Sequence, residues 1–171
     1  MTTDIGEFST TQLRALGTAQ MAALTATAVA GLSTTQIFSL LTTQVGALST
    51  AAFAALDTTQ VAALSTTQIA GLRTTQVAAQ TSTDIGEFAA SQLGPLGSSM
   101  IGALSTTTVA AVSTTDMSAL TALQIGGFTA SQIGVLTTTN IRALDATQLG
   151  GFTATQVAAM NNEQVEAYLG V

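Results

Sequence analysis

Asp57-Thr-Thr-Gln-Val-Ala-Ala-Leu64, followed at once by Ser65-Thr-Thr-Gln-Ile-Ala-Gly-Leu72, states the rule that builds the chain. Read outward in both directions, the same eight-residue phrase recurs 21 times without insertion or deletion, and residues 169–171 are left over. A fixed short period marks a stacked array, in which each unit buries its apolar side only against neighbouring units.

With the octad numbered 1 to 8, position 5 is apolar in all 21 copies. Position 8 is apolar in 20, Gln80 being the exception. Position 4 is Gln in 13 copies and Asp in three, and position 1 is Ser, Thr, Asp or Asn in 15. Positions 6 and 7 are mostly Ala or Gly. These preferences spell a helix start. A Ser, Thr or Asp with Gln three residues later is a capping box, and the apolar residues at position 8 of one copy and position 5 of the next form a hydrophobic staple. The pattern predicts about six helical residues (positions 2 to 7) and then a bend at positions 8 and 1. Helices that short persist only when packed on neighbours, and small residues at positions 6 and 7 permit close backbone approach.

Two other folds are weighed against this one. In a continuous helix, eight residues at about 100° each would carry the apolar stripe round by about 80° per copy, so no partner could follow it. A β-solenoid suits the Thr, Val and Ile content, but positions 5 and 8 are three apart and would point to opposite faces of a strand. The expected fold is therefore an all-α solenoid of very short helices, one per octad, with the β-solenoid as the alternative.

A longer period lies above the octad. Thr3-Asp-Ile-Gly-Glu-Phe8 returns 80 residues on as Thr83-Asp-Ile-Gly-Glu-Phe88. The expected organisation is a ten-octad module over 1–80, a second over 81–160 continuous with it, and a more polar terminal octad or cap over 161–171.

Composition narrows function. The net charge is −6, with three Arg and no Lys, so nucleic acid and anionic membrane surfaces, which need a basic footprint, are not expected partners. Thr-Thr-Gln interrupts every apolar run, so no membrane span is expected. Residues 1–8 have neither a basic n-region nor an apolar h-region, and no Sec signal is expected there. The repeat phase starts at residue 1, which suits a piece of a longer tract or a chain that is nearly all tract. Cysteine and histidine are absent. With no His, Cys or Lys and a single Tyr (Tyr168), no catalytic residue, cofactor-binding residue or metal ligand is singled out, and no enzyme or cofactor is expected.

The pairs Asp4/Glu7 and Asp84/Glu87 carry no EF-hand or nonapeptide pattern and read, like Glu163 and Glu166, as acids favouring a helix N-terminal turn. Arg14, Arg73 and Arg142 read as surface charges, Phe38 as an exposed apolar residue, and Pro95 as the site of a local bend. Grouping of Arg14, Phe38, Arg73, Gln80 and Arg142 on one face would favour a binding module. The Thr array could order water on a flat face, although capping explains the same residues.

Octads such as Ser33-Thr-Thr-Gln-Ile-Phe-Ser-Leu40 and Asp57-Thr-Thr-Gln-Val-Ala-Ala-Leu64 resemble the octapeptide repeat tracts of very large bacterial surface or secreted adhesin-like proteins. The resemblance covers the entire chain. It implies an extracellular or cell-surface stalk or spacer without enzymatic activity. The calcium-binding nonapeptide of some such proteins is absent, so calcium dependence does not follow from the resemblance. The alternative function is a binding module or self-assembling filament with a regular face for carbohydrate, ice or another copy, since terminal octads carry the surfaces that stack internally.

Overall fold

Twenty α-helices begin eight residues apart, from Thr10–Arg14 to Asn162–Leu169, each at position 2 of its octad. The computed structural model describes residues 5–170, apart from the side chains of Ser82 and Ala90. Its first element is a 3₁₀ turn, Ile5–Glu7, and no strand occurs among the described residues. The fold is the all-α solenoid of short helices, and the β-solenoid is set aside.

Capping sets the register. In Asp57 and Ser65 the side chain accepts from the backbone N–H of Gln60 (2.8 Å) and Gln68 (3.2 Å). The Gln side chains answer by accepting from the N–H of Asp57 (2.9 Å) and Ser65 (2.8 Å). Position 1 is extended throughout, for example φ −82° and ψ 169° at Asp57, which turns the chain out of the previous helix. Where helices reach position 7, position 8 is extended too, as at Leu40 and Leu120. The bend thus falls at positions 8 and 1, as the pattern predicts, and it needs no left-handed residue. Gly170 alone among the described residues has positive φ, where it ends the last helix.

Most helices are shorter than the six residues expected, stopping at position 5 or 6. The position-7 residue then closes the turn as C-cap, with Ala15 N–H reaching the carbonyls of Thr11 and Gln12. Pro95, which lacks that N–H, follows a helix that has already ended at Leu93, as helices without proline do at Ile125 and Ile133. The bend there is the one every octad makes, not one imposed by proline.

The chain forms two compact units, Met1–Ala79 and Gln80–Val171. In the first, Thr18–Ala22 packs on Thr42–Ala47 and that helix on Thr66–Ala70, so each helix meets the third one after it. In the second, Ala90–Leu93 packs on Thr114–Ala119, which packs on Thr138–Arg142, which packs on Asn162–Leu169. Closest backbone approaches bracket the turn. A Cβ on Gly46 would lie 2.7 Å from the carbonyl of Gly71, and one on Gly127 would lie 2.8 Å from Cα of Ser98. These offsets of 25 and 29 residues put between three and four octads in each superhelical turn. Small residues at positions 6 and 7 are where backbones meet, as the sequence predicts.

Positions 5 and 8 make the core. Leu13, Met21, Val29, Ile37 and Val45 have no exposed surface, and Leu32, Leu40 and Leu48 are buried beside them. Burial fades at opposite ends for the two positions. Position 8 is only half-buried at Phe8, Leu16 and Leu24, and position 5 only half-buried at Leu149, Val157 and Val165. Each apolar layer therefore needs a neighbouring turn on one particular side. No helix of the described residues is long and apolar enough to cross a membrane.

Candidate functional site

Position 4 holds the chemistry that the octad repeats most insistently, and the structure gives it a second task. Beyond capping its own helix, the buried Gln amide donates to carbonyls one superhelical turn earlier. Gln44 Nε2 donates to the carbonyls of Leu13 and Leu16, each at 2.8 Å. Gln132 does the same to Ile101 (2.9 Å) and Leu104 (2.7 Å), and Gln164 to Ile133 (2.8 Å) and Leu136 (2.7 Å). Gln148 reaches three, Met117 (3.3 Å), Ser118 (3.0 Å) and Leu120 (2.6 Å). The acceptors sit 31, 30 and 28 residues back, at positions 5, 6 and 8. A ladder of carboxamides therefore stitches successive turns through the interior of each unit. Such a group is costly to bury unless fully bonded. Here it is fully bonded, and no buried side-chain N or O atom of the described residues lacks a partner.

Variation at position 4 grades this stitch by reach. Asn140, one methylene shorter, donates to a single carbonyl, Val112 at 3.0 Å. Thr108 uses its hydroxyl on the Gln80 carbonyl at 3.1 Å. Ala52, in the first unit, has no donor to offer, and neither does the carboxylate of Asp116 in the second. Asp116 takes the Ser113 hydroxyl at 2.7 Å and lines a cavity of about 340 Å³ with Ile85, Gly86, Thr108, Val112 and Ser113.

The residues singled out from sequence fall into place separately. Arg14, Arg73, Arg142 and Phe38 are exposed, Phe38 by 65%. Arg73 is more than a surface charge, because its Nε donates to the Gly46 carbonyl on a neighbouring helix. Gln80 is buried, so it does not share an exposed face with the other four. Asp84 accepts from the Thr81 N–H at 2.7 Å and serves as a helix-start acid. Glu163 lies in the first turn of the last helix. Asp4 lies outside the described residues. No group of three or more His, Cys, Asp or Glu that could hold a metal ion occurs among the described residues.

A sequence-family model described as the ALTTAQ repeat matches residues 2–34, which are 33 of the 171. Its six letters differ from Ala15-Leu-Gly-Thr-Ala-Gln20 at one position, Gly17, and so run from the end of one octad into the capping box of the next. Neither a curated protein nor a solved structure matches the chain. What the match supports is a tandem-repeat family, in keeping with the short-helix solenoid of both units.

Proposed function

We propose that this protein is a non-enzymatic structural repeat, an elongated solenoid that acts as a spacer or stalk in a bacterial surface or secreted protein. The observation that carries the reading is the carboxamide ladder. In octad after octad the most conspicuous polar side chain is consumed in joining one turn to the next, leaving Thr and Ala outside. An array built this way lengthens by whole turns and gains stiffness from interior hydrogen bonds, as a spacer requires. The surface or secreted setting rests on the resemblance of the octads to adhesin-like tracts, with which the acidic, cysteine-free composition is compatible.

Small-angle scattering tests the spacer. A compact 171-residue domain has a radius of gyration of about 15–16 Å. The expected value is well above that, with a scattering profile of an elongated particle. A compact value would overturn the reading.

A second reading, self-association through end octads, is favoured by one feature. Gln12 and Gln20 are exposed and donate to no carbonyl of an earlier turn, although they sit at the same position as Gln44. A second copy stacked on that turn would give their amides acceptors. Light scattering that grows with concentration, and is lost in Gln12→Ala/Gln20→Ala, is the expected sign. A mass that stays monomeric up to millimolar concentration would remove this reading and leave the spacer intact.

A further inference from the structure

The gap at Asp116 has the makings of a ligand site. By the register that the ladder keeps, position 4 of this octad falls opposite the carbonyls of Ile85, Gly86 and Phe88, which are 31, 30 and 28 residues earlier. In the equivalent place Gln148 brings one nitrogen to within 2.6–3.3 Å of all three oxygens, so these carbonyls converge on a common point. At Asp116 no nitrogen fills that point. No side chain donates to the carbonyls of Ile85, Gly86 or Phe88, and the group facing them is a carboxylate. Asp is also one methylene shorter than Gln, and the cavity of about 340 Å³ opens where the longer side chain would run. Oxygen thus faces oxygen across open space. Neither side can satisfy the other, and the repulsion is relieved by a positive charge between them.

We propose that Asp116 and the carbonyls of Ile85, Gly86 and Phe88 bind a hard, oxygen-seeking metal cation, with calcium as the fitting ion. Calcium accepts carboxylate, backbone carbonyl and water oxygens together at about 2.3–2.6 Å, in flexible geometry with six to eight ligands. The cavity has room for several waters to complete that number, at about 30 Å³ each. One carboxylate supplies little charge, so affinity is weak, on the order of millimolar, as in extracellular calcium modules. The cation would take the place of the missing amide and restore the stitch between Ser82–Gly86 and Thr114–Ala119. This revises the expectation, drawn from composition, that the chain has no metal ligand. The single acid at a ladder position is invisible to a search for ligand clusters.

Thermal unfolding of the full chain, with and without calcium chloride at constant ionic strength, tests the site. In the wild-type protein, 10 mM calcium is expected to raise the melting temperature by about 3–6 °C over chelator. Asp116→Gln supplies the ladder amide directly. It should melt higher than wild type in chelator and show no calcium response. Asp145→Ser changes an exposed capping acid to the residue many octads carry there, and should keep the full response. Isothermal titration of the wild-type chain gives a second readout, one calcium per chain. The proposal is overturned by a flat wild-type response with no titration heat, or by an equal response in Asp116→Gln.

Discussion

Gln12 and Gln44 occupy the same position of nearly the same octad, and both close the same local bonds at their helix start. Ser9 N–H donates to Gln12 Oε1 at 2.9 Å, and Leu41 N–H to Gln44 Oε1 at 2.9 Å. Gln12 is nevertheless exposed, whereas Gln44 retains 1% of its surface and donates twice to the preceding turn. The helix is thus decided within the octad, and burial is decided by whether a turn lies beneath it. One side chain carries both tasks, its oxygen serving the helix and its nitrogen serving the stack.

The sharpest way to part the two tasks is Gln→Glu, which keeps the capping oxygen and removes the donor. In Gln132→Glu the carbonyls of Ile101 and Leu104 lose their partner and meet a buried carboxylate instead. Leaving buried polar groups unsatisfied costs about 1–3 kcal/mol each, and more for a charge, so a loss of about 3–5 kcal/mol is expected at neutral pH. Gln12→Glu, on the exposed turn, should change stability by less than about 0.5 kcal/mol. Urea unfolding midpoints of the two variants measure the contrast. Equal effects at the two sites would mean that the Gln serves capping alone.

A second contrast sets crowded glycines against open ones. A Cβ on Gly127 would meet backbone of Ser98, including its Cα at 2.8 Å, and backbone can retreat only by separating two turns. Gly127→Ala should cost about 2–3 kcal/mol, in the range of overpacked cores. Gly94, also in the second unit, has nothing within 4 Å of the same added atom. Its C-cap conformation is right-handed, so Gly94→Ala should be neutral or stabilise by up to about 1 kcal/mol. Similar melting temperatures for both variants would show that the turns are not in close backbone contact.

Much of this was legible in one octad because capping, stapling and bending are local. Ser65, Gln68 and Ile69 announce a helix start whatever lies around them, and Leu64 before them fixes the bend. Gly71 and Ala70 likewise mark where another backbone can approach. The ladder was not legible, because the acceptors of Gln68 (Ile37, Phe38 and Leu40) lie 28–31 residues away and the number of octads per turn was unknown. A signal was present all the same. Glu completes a capping box as well as Gln does, yet position 4 carries Gln in 13 copies and Glu in none. Capping does not explain that choice; a need for an N–H donor does. The same blindness hid Asp116, which reads locally as an ordinary acid in a first helical turn.

The smallest expected effect concerns the caps that are incomplete. At Leu41, Arg73 and Ala89 the N-cap side chain accepts nothing, and the N–H of Gln44, Gln76 and Gln92 turns instead to the N-cap residue's own carbonyl, at 2.8–2.9 Å. The orphan donor is therefore already met, though by a tighter turn than at Ser65. Ala89 is exposed, so Ala89→Ser adds a hydroxyl without removing packed surface. A new N-cap is worth about 1 kcal/mol where the donor was unpaired. Here the gain should be only about 0.5 kcal/mol, whereas Ser65→Ala, which can fall back on the same carbonyl bond, should lose a similar amount. Differential scanning calorimetry resolves both. A loss at Ser65 of 2 kcal/mol or more would show that the hydroxyl does more than cap, and would place part of the turn-to-turn cohesion at position 1.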